Sequence, residues 1–249
     1  MDNQYMENNM EQQNTLTVKK VMHIAGSLSL VLAPLLLIIG WGLNYDSLAS
    51  FFGATFSNPY LTSGSSAPGQ QFLETITGPD NGFRLFLLPH YFIYVAMPML
   101  IAAALFLAKI LFKKAPWHAL VGATLTTVGA VYFIGVLGAY LSLPALASVP
   151  IDQVNLLLAL NAVTATQGIL LISIILSVLV FVGMIVFGVG FYKSKIIPRW
   201  SASLIILGSI IVLAAAGTEN FMVIGSFLLL VGLLPLSMKM LHANPLEIW

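Results

Sequence analysis

The sequence predicts an all-α protein that crosses a membrane several times. It is 59% hydrophobic and only 8% charged, with a mean hydropathy of +0.95, whereas soluble domains carry about 25% charged residues. Six apolar runs approach or exceed the ~20 residues that a helix needs to cross a bilayer core. The runs are continuously apolar rather than alternating, which favours helices over the strands of a barrel. A six-helix transmembrane bundle is therefore the predicted architecture.

The predicted transmembrane domain covers residues 19–242. Residues 1–18 are polar, with several Asn and Gln and no apolar period, so we expect a disordered cytoplasmic tail there. Residues 243–249 form a short cytoplasmic tail at the other end. The fifth run is the shortest of the six. In chain order, the predicted spans are Val21–Gly42, Leu85–Leu111, Trp117–Ser142, Thr166–Tyr192, Trp200–Gly217 and Phe221–Met238.

The basic residues predict the orientation. Nine of the ten Lys and Arg flank span ends that share one side, and Arg84 alone falls on the other. The positive-inside rule then places both termini in the cytoplasm. Trp41, Trp117 and Trp200 lie at predicted span ends, as interfacial anchors do. The nine are Lys19, Lys20, Lys109, Lys113, Lys114, Lys193, Lys195, Arg199 and Lys239.

Two external segments are predicted to form a small cap. The loop 43–84 follows the first span, and its centre at 62–69 is rich in Ser, Gly and Pro. The second segment runs from Leu143 to about Gln167, and Asp152 is placed to cap a helix within it. A loop as long as the first is often functional in a compact chain.

Small residues in the third span predict that this helix packs closely against another helix. Gly122, Thr126 and Ala130 are spaced four apart, as are Gly135 and Ala139 further along the same span. Such a slim face lets helix backbones approach closely, either within the bundle or with a second copy. Spacing does not distinguish these two uses.

A polar pocket opening outward is predicted at the external ends of the spans. His90 and Tyr94 share a helix face, and Arg84 lies nearby at the same end. Ionisable groups at membrane depth are functional candidates by default, although Arg84 and Glu219 could instead pair at the boundary. The other spans bring Tyr140, Gln167, Glu219 and Asn220 to a comparable depth.

Several function classes lack their signatures. With no cysteine, thiolate catalysis, disulfides and Cys-ligated metals are excluded. No hydrolase, zinc-protease or nucleotide-binding motif occurs in the sequence. We therefore predict no catalytic residue and no metal site. A net charge of +1 argues against nucleic-acid binding. No cofactor is expected, the one alternative being haem held between His23 and His118 on the cytoplasmic side.

Two cytoplasmic turns resemble each other. Both Phe112–Trp117 and Tyr192–Trp200 are basic, contain proline and lead into a Trp at the start of a span. Interfacial turns commonly use these residue types, so similar chemistry is favoured over an internal repeat.

The second turn carries a family resemblance. Its sequence Phe-Tyr-Lys-Ser-Lys-Ile-Ile-Pro-Arg-Trp, residues 191–200, resembles the "Y-R-S-R-L-V-P-R-W" turn of the DUF4386 family of multi-span bacterial membrane proteins. The likeness covers the fourth to sixth spans at most, and the long external loop departs from the family pattern. It implies six helices in a bacterial-type plasma membrane and transfers no functional residue.

The leading functional prediction is a non-catalytic binding or accessory protein that acts through lipid or partner-helix contacts. Its partners would be the lipid bilayer and either further copies of itself or another membrane protein. A small-solute transporter using the outward pocket is the first alternative, but its ionisable residues cluster at the surfaces rather than at the midplane. A membrane enzyme or haem-binding protein is the second.

Overall fold

A computed structural model describes residues 2–43, 87–147, 169–214 and 219–243. Within these residues all regular structure is helical and no strand occurs, which confirms the predicted all-α class there. The helices are α1 (Asp2–Gly42), α2 (Leu88–Phe112), α3 (Pro116–Ala147), α4 (Ile169–Ser177), α5 (Leu179–Ser194), α6 (Arg199–Ala214) and α7 (Glu219–His242).

Five stretches are long and apolar enough to cross a membrane. They lie in α1, α2, α3, the α4–α5 pair and α7. The described part of α6 is also apolar but has only 16 residues, about 24 Å at 1.5 Å per residue. The chain therefore has the helices of a multi-pass membrane protein.

The helix boundaries differ from the predictions in three places. α1 begins at Asp2, so the backbone of the stretch predicted as a disordered tail continues the first span as helix. This stretch contains no Gly or Pro, and a helix already nucleated in the span propagates readily through Glu, Gln and Met. α3 runs on to Ala147, beyond the predicted end at Ser142.

The third difference is a one-residue irregularity in the fourth span, at which Val178 keeps right-handed helical backbone angles. α4 ends at Ser177 and α5 begins at Leu179, with a turn at Val178. The Ser177 hydroxyl donates to the carbonyl of Ile174 at 2.6 Å, and such side-chain bonds to a preceding turn commonly bend helices. Most of loop 43–84, most of the second external segment and residues 244–249 lie outside the described residues.

The described helices form a closed ring. Each of α1, α2 and α3 packs on the next, α3 packs on α4 and α5, and α5, α6 and α7 follow in order. α7 then packs back on α1. This order brings the start of the first span beside the end of the last.

Glycines allow the closest contacts in this ring. On α6 and α7, Gly208 and Gly225 face each other, and a Cβ added to Gly208 would lie 2.5 Å from the carbonyl oxygen of Gly225. On α3, Gly129 lies against the backbone of Val180, just after the irregularity in the fourth span. Only glycine leaves room for such backbone approach.

The first half of the slim face on α3 is used inside the bundle. Gly122, Thr126 and Ala130 are buried, and Gly122 and Thr126 contact α5. Around Gly135, by contrast, no described atom lies within 4 Å of an added Cβ. The two halves of the face therefore have different surroundings.

Candidate functional site

At the end of the bundle predicted to face outward, the structure brings together two of the predicted pocket residues. His90 is the third residue of α2, and Tyr140 lies late in α3. Because α2 and α3 are antiparallel neighbours, these positions meet at the same end. Their ring centroids are 6.0 Å apart and the planes are tilted by 37°.

The other predicted pocket residues are less informative. Tyr94 is half-buried and packs against the apolar core, and Asn220 is half-buried in the first turn of α7. Glu219 begins α7, but its side chain is outside the described part, as are Arg84 and Gln167 entirely. The contact between His90 and Tyr140 is thus the link that the structure shows between two of the predicted outer-pocket residues.

His23 has a structural environment at the opposite end. It is 2% exposed, and its Nε2 lies 2.6 Å from the carbonyl oxygen of Met240 on α7. Its ring also meets Phe106 of α2 edge-on, with centroids 5.8 Å apart. An axial haem ligand needs a nitrogen that faces the iron. The Nε2 of His23 is used in the bond to Met240, whereas its Nδ1 has no hydrogen-bond partner among the described residues, and the haem alternative stays a prediction.

His118, the second histidine of the haem alternative, belongs to a basic pocket near the same end. The pocket has a volume of about 230 Å³. It lies between the α2–α3 turn and the C-terminal end of α5. Its lining residues are Lys114, Ala115, Pro116, Trp117, His118, Lys193 and Ser194.

Local backbone geometry builds this pocket. The Lys114 and Ala115 N–H groups both donate to the carbonyl of Leu111, at 3.0 and 2.8 Å, and this tight turn leads directly into α3. On the facing helix, Gly190 lets α5 approach α3, since a Cβ there would lie 2.7 Å from the Cβ of His118. Lys195 ends α5 in the left-handed conformation. The two basic turns thereby come together in space.

The pocket is electropositive. Lys114 lies in the α2–α3 turn and Lys193 in the last turn of α5, and no described carboxylate lines the pocket. Trp117 is 75% exposed beside them. Two ammonium groups and an imidazole can hold an anion by charge and hydrogen bonding. The described residues contain no group of three or more His, Cys, Asp or Glu placed to hold a metal ion.

Sequence reasoning did not select Lys114, His118 and Lys193 as a site. The signal in the sequence is the similarity of the two basic turns, a pattern that ordinary interfacial turns also show. What the sequence did not show is that both turns contribute to one pocket.

No protein-family model, curated protein or solved structure matches this chain. The resemblance of residues 191–200 to the DUF4386 turn therefore stays a prediction.

Proposed function

We propose that this chain is a six-span integral protein of the plasma membrane that acts as a non-catalytic binding or accessory protein. Both termini are assigned to the cytoplasm, and the two external segments are assigned to a small cap. The protein acts through contacts with lipid or with a partner helix, which is either a second copy or another membrane protein.

The sixth span rests on α6. Its described length is short, but the apolar sequence continues to Gly217. α6 also packs between α5 and α7, which both belong to stretches long enough to span. A helix held between two spanning neighbours shares their surroundings, and this supports a full crossing.

The interior of the bundle is the observation that carries the functional proposal. Among the described side chains, the buried polar groups are one histidine and seven Ser or Thr, and none is a charged Lys, Arg, Asp or Glu. Several bond to backbone carbonyls, as Ser201 does to Gly232 and Ser237 to Ser27. A transporter needs a polar path through the midplane. An apolar, closely packed interior instead favours function at the surfaces of the bundle.

Native mass spectrometry of protein extracted gently from its membrane tests this proposal, with an absorption spectrum on the same sample. We expect retained lipid, a second copy or a partner chain, and no visible absorption band. A haem band, or solute flux across liposomes that contain the purified protein, would contradict it.

The Gly135→Leu variant tests whether a partner helix binds to α3. Its side chain would project from α3 where no described atom lies nearby, so it would block a partner helix while leaving the described bundle contacts intact. Ala25→Leu places the same leucine side chain at an exposed position of α1 and serves as the control. Loss of a partner or second copy in Gly135→Leu alone supports partner binding through α3.

A further inference from the structure

We propose that the basic pocket binds the phosphate of an anionic phospholipid, with Lys114 and Lys193 as the charged contacts. The inference rests on the proposed function, because it assumes a membrane-embedded chain that works by binding. It names the site and the class of ligand for the lipid part of that function.

The pocket has the charge and donors that a phosphate group requires. Lys114 and Lys193 are exposed, so their ammonium groups remain accessible, and both line the same cavity. His118 adds an imidazole from the first turn of α3. The start of α3 carries partial positive charge and the C-terminal end of α5 carries partial negative charge, so the positive field of the pocket comes from the two lysines. No described carboxylate lies in the lining to neutralise the two ammonium charges.

The depth of the pocket favours a lipid over a free anion. The spans in α2 and α3 meet at Phe112 and Pro116, and the fourth span ends at Ser194. Every lining residue lies at or within two positions of one of these span ends. This is the level of the headgroups, where phospholipid phosphates are concentrated and where basic pockets between spans bind anionic lipids.

An apolar surface leads away from the pocket along α3. Trp117 is followed by Leu120 and Val121, which are 55% and 40% exposed. These residues lie one turn further into the span and can accommodate acyl chains. A free phosphate has no apolar part that would contact such a surface. Charge at the pocket and apolar residues beyond it match the two parts of a phospholipid.

Neighbouring lysines provide a sharp control. Lys113 and Lys195 are exposed and belong to the same two turns, but they do not line the pocket. If general attraction to an anionic surface were the cause, all four lysines would contribute alike. A defined site requires Lys114 and Lys193 in particular.

The test titrates delipidated full-length protein in detergent with phosphatidylglycerol or phosphatidylcholine of identical acyl chains, and native mass spectrometry counts the bound lipid. The variants are Lys114→Gln/Lys193→Gln, the control pair Lys113→Gln/Lys195→Gln and the charge-preserving pair Lys114→Arg/Lys193→Arg. Size-exclusion chromatography and circular dichroism establish that each variant is folded.

We expect wild type to bind one phosphatidylglycerol in preference to phosphatidylcholine. The pocket pair should lose roughly thirty-fold in affinity, the effect of two charge contacts, while the control pair loses less than about three-fold. The arginine pair should bind as wild type does. Equal losses in both glutamine pairs, or no preference for phosphatidylglycerol, would overturn the proposal.

The last experiment compares inorganic phosphate with the lipid as a ligand of the pocket. If inorganic phosphate binds as tightly as phosphatidylglycerol, with the same dependence on Lys114 and Lys193, the acyl chains add nothing and the lipid assignment is wrong. Failure of the lipid titration leaves the partner-helix part of the proposed function standing. Solute flux in liposomes would remove the proposed function without altering the measured lipid affinity.

Discussion

The Nε2 atom of His23 on α1 lies 2.6 Å from the carbonyl oxygen of Met240 on α7, so the first and last helices are joined across 217 positions of sequence. The imidazole must donate in this bond, because a carbonyl oxygen can only accept. Ser237 adds a second link, since its hydroxyl donates to the carbonyl of Ser27 at 2.7 Å. Two side-chain bonds therefore close the ring of helices.

Replacing His23 should loosen this closure. We expect His23→Ala to lower the free energy of unfolding in detergent by about 0.5–2 kcal/mol, because it removes the bond to Met240 and the ring contact with Phe106. His242→Ala is the control, since exposed His242 bonds to the carbonyl of Met238 within its own helix. Urea or SDS titration measures both. Equal effects would show that the bond between helices adds nothing.

A methyl group at Gly129 should disturb the packing of α3 on α5. An added Cβ would collide with the backbone at Val180, which cannot rotate away as a side chain can. We expect Gly129→Ala to lower the melting temperature and cost about 1–3 kcal/mol, as overpacking does. Gly135→Ala places the same methyl on the same helix with no described atom within 4 Å. An equally large loss at Gly135 would refute the difference between the two halves of the α3 face.

The contact between His90 and Tyr140 should depend on the ring rather than the hydroxyl. Tyr140→Phe keeps the aromatic pair and should change stability little, whereas Tyr140→Ala should cost about 0.5–1.5 kcal/mol. Thermal unfolding in detergent compares the two variants. A large loss in Tyr140→Phe would instead assign the hydroxyl a structural bond of its own.

The absence of cysteine makes the topology directly testable. Single substitutions Lys113→Cys, Lys195→Cys and Lys239→Cys should react with a membrane-impermeant maleimide only from the cytoplasmic side, because the positive-inside rule assigns all three to that side. Ser65→Cys, in the predicted external loop, should react only from outside. If Lys239→Cys reacts from outside while Lys195→Cys does not, α6 does not cross the membrane and the six-span assignment fails.

The long helices were predictable because continuous apolar sequence has one stable form in lipid. The sixth predicted span, Phe221–Met238, falls within α7, and the second predicted span ends one residue from the end of α2. The irregularity at Val178 was not predictable from composition, since the residues on both sides are apolar. It lies where Gly129 of α3 meets the backbone of Val180, and that contact is set by packing between distant segments.

The candidate sites were likewise predictable only in part. Tyr140 lies beside His90 because α2 and α3 are antiparallel neighbours. The pocket at Lys114 and Lys193 depends on the approach of α5 to α3 at Gly190, which sequence spacing does not encode. The bond between His23 and Met240 likewise depends on the packing of α7 against α1. The assignment of Arg84, Gln167 and Glu219 to the outer pocket remains a prediction.

The His23–Met240 bond also has a consequence for how the chain is made. The two residues are 217 positions apart, and at ordinary rates of translation roughly 10–40 s pass between their synthesis. During that interval the imidazole of His23 has no carbonyl from α7 to bond, and α1 has only one of its two final neighbours. The bond that joins the first and last helices can therefore form only after nearly the whole described chain has been made.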